Sequence, residues 1–96
     1  MNSETFPSGR EYFLSALKKK IGKMISQPTS IDFKTLDSVL RGIGCKVRSP
    51  EGSHYVYIHP NVTFPLSVPK AKPIKKCYII QAIKLFGLKE KYDEIT

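Results

Sequence analysis

The chain has 96 residues, which suits one domain and leaves no room for two. Its apolar fraction is that of an ordinary globular protein, which excludes wholesale disorder. Against 8 Asp and Glu stand 16 Lys and Arg, a net charge of +8. That excess favours an anionic partner such as nucleic acid, because each phosphate neutralised releases condensed counterions; a basic surface kept for solubility is the bland alternative.

Met1-Asn2-Ser3-Glu4 lacks the basic-then-apolar pattern of a signal peptide, and the longest aliphatic cluster, around Tyr78-Ile79-Ile80, is too short to span a bilayer. A cytoplasmic protein without membrane association is expected. Ser8-Gly9-Arg10-Glu11 has the form of a capping box with Ser8 as N-cap. Leu14, Leu17, Ile21, Met24 and Ile25 follow at helical spacing, with Lys18, Lys19, Lys20 and Lys23 on the other side, so an amphipathic helix should end before Pro28. Its lysines are read as a solvated face, with RNA contact as the alternative. After the break at Gln27-Pro28-Thr29-Ser30, Asp32 caps a second helix. Phe33, Leu36, Val39, Leu40 and Ile43 form its buried stripe and Gly44 its C-terminal stop.

Three strands should follow: Cys45 to Ser49, then His54 to His59 after a Pro50-Glu51-Gly52 turn, then about Phe64 to Val68, where Pro65 suggests a sheet edge. A last helix is expected from near Pro73, with Ile79, Ile80, Ile83 and Phe86 on its apolar side and Gly87 at its end; the tail to Thr96 reads as polar and frayed. The predicted class is α+β. Two helices lie on one face of a three-stranded antiparallel meander in the order α-β-β-β-α, the order of double-stranded-RNA-binding domains, with an extra N-terminal helix. The chain divides into an extension, residues 1–28, and a core domain, residues 29–96. Cys45 and Cys77 lack the spacing of a disulfide framework or zinc site and are read as small buried hydrophobes in a reducing compartment.

The sharpest chemical feature is Gly52-Ser53-His54. The glycine lets the chain turn into the second strand and sets His54 at the strand's start, where an imidazole can give or take a proton at neutral pH. A histidine that merely begins a strand is the competing reading. His59 is a poor second proton-transfer group. Five residues apart, the two side chains point to opposite faces and lie roughly 16 Å apart. His59-Pro60 reads as the structural end of the strand. Ser53 lacks an esterase elbow, no glycine-rich phosphate loop occurs, and the carboxylates are too scattered for a two-metal nuclease, so no metal and no cofactor are expected. Lys70, Lys72, Lys75 and Lys76 crowd the start of the last helix, where the macrodipole disfavours them; phosphate contact is preferred to plain solvation. Tyr55 and Tyr57 share a strand face and serve either as core or as base-stacking rings.

From about Ile31 to Leu88 these features resemble the HicA family of bacterial toxin mRNA interferases. The resemblance rests on the helix ending in Gly44, the basic strand with Arg48, Gly52-Ser53-His54, His59-Pro60, and Pro69-Lys70-Ala71-Lys72-Pro73 leading to Gln81. It implies a double-stranded-RNA-binding-like fold, endonucleolytic cleavage of mRNA with His54 as catalytic residue, and a HicB-like antitoxin that covers the active site, with a hetero-oligomer as the implied assembly. Tyr55 stands where many members have a second histidine, and the Pro69 loop lacks a histidine that many carry. The expected function is therefore a toxin-antitoxin endoribonuclease that works without metal. His54 would be general base or acid, and Lys46, Arg48, Ser53, Lys70, Lys72, Lys75 and Lys76 would contact RNA. A non-catalytic RNA-binding module of the same fold, and a small protein whose basic face binds an acidic protein, are the alternatives.

Overall fold

The computed structural model describes residues 9–48, 52–71 and 73–95. Expectations for Ser8, Ser49, Pro50, Glu51, Lys72 and Thr96 fall outside these residues. The fold is α+β; the described residues form four helices and one antiparallel sheet in the order β1-β2-β3. The order is α1 (Gly9–Ser26), α2 (Phe33–Gly42), β1 (Lys46–Arg48), β2 (His54–Ile58), β3 (Leu66–Pro69), α3 (Lys76–Leu85) and α4 (Leu88–Glu94). Residues 33–85 thus run α-β-β-β-α, preceded by the N-terminal helix.

Local chemistry sets most boundaries. The Asp32 carboxylate accepts a 2.8 Å hydrogen bond from the Thr35 N–H, satisfying one orphan donor at the start of α2. Gly44 leaves α2 with φ of 105°, a conformation that costs glycine little, and the Cys45 N–H then donates to the Leu40 carbonyl at 2.9 Å. α1 packs against α2, α3 and α4. Its Leu17, Ile21 and Met24 join one buried cluster with Leu36, Val39 and Leu40 of α2, Tyr57, Leu66 and Val68 of the sheet, and Ile79 and Ala82 of α3. The apolar stripe of α1 therefore covers the chain's own core. Two of its lysines are structural ties. Lys18 Nζ donates to the Ile95 carbonyl at 2.7 Å and stands 4.7 Å from the Tyr92 ring centroid, and Lys20 Nζ donates to Ser38 Oγ at 2.8 Å.

Four details correct the sequence reading. β3 begins at Leu66, two residues late, and leaves Phe64 69% exposed. Pro69 is part of it. The Lys70 N–H donates to the Ser53 carbonyl at 2.9 Å, so by antiparallel alternation the Pro69 nitrogen faces the open edge, where no donor is needed. The last core helix starts at Lys76 and not at Pro73, because Ile74 is buried as an anchor and Lys75 is extended (φ −66°, ψ 142°). The C-terminal segment folds as α4 after Gly87, whose φ is 60°, because Leu88, Tyr92 and Ile95 recur at i, i+4 and i+7. Cys77 is exposed, on the side of α3 opposite Ile79, Ala82 and Ile83; only Cys45 is buried.

Candidate functional site

The pleat of the sheet divides the candidate residues. Val47, Tyr55, Tyr57, Leu66 and Val68 turn toward the helices and pack on or within the core. Lys46 and Arg48 of β1, His54, Val56 and Ile58 of β2, and Ser67 of β3 turn the other way. In register, Lys46 lies opposite Ile58, while Arg48 and Ser67 flank Val56. His54, Lys46, Arg48 and Ser67 are all exposed.

His54 opens β2 just after the Gly52-Ser53 bend. Its Nδ1 lies 3.0 Å from Ser53 Oγ. A base acting through Nε2 needs its proton on Nδ1, and the serine oxygen is positioned to accept a hydrogen bond from that proton. The imidazole stands on an exposed face.

His59 is built differently. It is 9% exposed, its Nε2–H donates to the Ile43 carbonyl at 2.9 Å, and its Nδ1 accepts from the Asn61 N–H at 3.1 Å. The two backbone partners fix one tautomer and leave neither nitrogen for a substrate. Its ring joins the end of α2 to the β2–β3 turn, beside Phe86.

The predicted lysines do not gather around the His54 imidazole. The Lys70 backbone pairs with Ser53, but its side chain runs to the helix side, with Nζ 4.3 Å from the Tyr55 ring centroid. Tyr55 in turn stacks on Phe33 of α2 at 4.5 Å. A ring held between Phe33 and Lys70 is a packed element, so Tyr55 offers no free face to a base, and Tyr57 is fully buried. Lys75 and Lys76 are exposed at the start of α3, in the helix layer. The candidates therefore fall in two groups, one on the open sheet face and one at the hairpin end of the helix layer. No family model, curated protein or solved structure matches the chain.

The perturbed groups belong to the scaffold. Burial and the 2.6 Å hydrogen bond that the Tyr57 hydroxyl donates to Asp37 push the phenol well above its ordinary range, so it stays a donor. Asp37 also takes both 3.0 Å contacts from Arg41 Nε. Burial pushes the Cys45 thiol up to about 11, which keeps it protonated and unreactive. The Thr35 hydrogen bonds hold the Asp32 carboxyl below the usual range. Among the described residues, no group of three or more His, Cys, Asp or Glu side chains could hold a metal ion, and no helix is long and apolar enough to cross a membrane. Ser67 is the open-face residue that the sequence reading missed; the period-two pattern of β3 was the available signal.

Proposed function

We propose that the chain is an endoribonuclease of the HicA toxin kind that cleaves mRNA in the cytoplasm without metal, with His54 as its proton-transfer residue. The observation that carries this reading is the solvent-facing imidazole of His54, held by Ser53 Oγ at 3.0 Å on a sheet face that also presents Lys46 and Arg48. The 2′-oxygen attacks the adjacent phosphorus, and the phosphorus–5′-oxygen bond breaks. His54 Nε2 takes the 2′-OH proton, and water protonates the leaving oxygen. The products are a cyclic phosphate and a 5′-hydroxyl. The net charge of +8 supports an acidic protein partner, a HicB-like antitoxin, over the same face.

The test compares folded His54→Ala with the parent on one RNA, in chelator, across about pH 5 to 9. Loss of general acid–base help costs about 10²–10⁴ in rate. Equal rates overturn the mechanism. A non-catalytic RNA-binding module is favoured by one observation, the sequestration of His59, which leaves His54 without a second imidazole. A folded parent that binds RNA with a steep salt slope but never cleaves it decides for that module.

A further inference from the structure

We propose that Arg48 is the cation that meets the reacting phosphate beside His54, and that the exposed Lys75 and Lys76 at the start of α3 hold other phosphates of the same strand. The inference rests on the ribonuclease reading and assigns the charge chemistry of its site. Transphosphorylation spreads negative charge over the non-bridging oxygens as the 2′-oxygen–phosphorus bond forms and the bond to the 5′-oxygen breaks. His54 moves the proton but cannot by itself neutralise that charge. A second, fixed cation on the same face is the missing part.

Register identifies it. Arg48 pairs with Val56, and His54 is the next residue of β2 on that face, so Arg48 and His54 are diagonal cross-strand neighbours. Such neighbours stand roughly 7–8 Å apart, within reach of a long side chain. Lys46 is a worse candidate. It pairs with Ile58, four residues along β2 from His54, or about 13 Å. Lys70 is held over Tyr55, on the side of the sheet toward the helices. Lys75 and Lys76 begin α3 and belong to that layer as well. Arg48 thus combines an exposed position, the correct face and diagonal adjacency. Its planar guanidinium also offers two parallel N–H donors to two phosphoryl oxygens, which an ammonium does not.

The experiment uses the full chain and a dinucleotide, uridylyl-(3′,5′)-adenosine, whose single phosphate is the reacting one. Arg48→Ala is expected to lower kcat on the order of 10²-fold, the usual cost of losing one positioned charge donor. Arg48→Lys should recover part of the loss, and the shape of the pH profile should stay that of the parent because His54 still moves the proton. Arg48→Gln serves if the alanine variant does not fold. Lys89→Ala, an exposed residue of α4, removes the same unit of charge and should leave kcat within a factor of about two. A kcat for Arg48→Ala and Arg48→Gln no lower than that of Lys89→Ala overturns the assignment while the ribonuclease reading stands. A rise in KM at unchanged kcat overturns it too, since Arg48 would then bind substrate and transition state alike. No cleavage of either the dinucleotide or a longer RNA by the parent overturns both.

Discussion

The two faces of the sheet carry the same residue types to different ends. On the covered face Tyr57 is fully buried and gives its hydroxyl to Asp37, Tyr55 lies between Phe33 and Lys70, and His59, just past the end of β2, spends both nitrogens on backbone partners. On the open face the His54 ring has, among the described residues, the adjacent Ser53 hydroxyl as its hydrogen-bond partner, and Lys46 and Arg48 stand exposed. One residue of strand phase separates an imidazole that ties the fold together from one able to meet a substrate. Residue type alone does not decide function here; strand phase and depth decide which polar atoms are already used.

If that division holds, changes on the helix side should act through stability and changes on the open face through RNA. The largest effect should follow deletion of residues 1–28. Leu17, Ile21 and Met24 would leave the core, each worth about 1.5–3 kcal/mol, against a total stability typically of about 5–15 kcal/mol. The truncated chain should lose cooperative melting or associate to cover the exposed core, as followed by circular dichroism and light scattering. Unchanged melting and mass would break the comparison at its base. His59→Ala comes next. It strands the Ile43 carbonyl and the Asn61 N–H and should cost about 2–3 kcal/mol in urea unfolding, while RNA cleavage below the melting transition stays near that of the parent. A folded His59→Ala with cleavage as impaired as in His54→Ala would place catalysis on both faces.

Much of this division is legible in the chain, and the failures have physical causes. Asp32 and Gly44 mark α2 because capping and left-handed backbone are local chemistry. The separation of His54 from His59 follows from the period-two pleat alone. α4 was hidden because Leu88, Tyr92 and Ile95 are interleaved with Lys89, Glu90, Lys91, Asp93 and Glu94, so composition suggests a polar tail while spacing describes a helix. Phe64 and Pro65 drew the third strand too early, since an apolar residue can stay exposed and a proline can precede a ladder as well as edge it. The sequence marks Lys70 as a phosphate contact but not the face its side chain uses. Only the pairing with Ser53 and the Tyr55 contact reveal that its side chain leaves by the other face.

Tyr57→Phe sharpens the same contrast at smaller scale. The variant keeps the ring and removes only the hydroxyl's bond to Asp37, so it should cost about 1.5 kcal/mol near neutral pH. The folded phenol is raised above its ordinary value of 10.0, so its contribution is complete below that pH and is lost as pH climbs past it, where the unfolded chain ionises first. The gap between parent and variant in urea unfolding should therefore narrow above pH 10. A gap that is constant through that range would mean that the fold does not raise the phenol.

Replacing Lys75 and Lys76 with Ala tests whether RNA stays on the open face or passes around the hairpin end to the helix layer. Both side chains are exposed at the start of α3, so their loss should leave melting unchanged. Each phosphate contact removed should reduce the slope of log affinity against log salt by about one, uniformly across RNA sequences. The effect on affinity is the smallest of these, because an exposed contact to a phosphate is screened and sequence-blind. A reduced slope with a long RNA, together with no change for the dinucleotide, describes a strand that runs from His54 across the end of the sheet to α3. An unchanged slope with the long RNA confines the strand to the face bearing Lys46 and Arg48, and leaves the crowded lysines without a part in RNA binding.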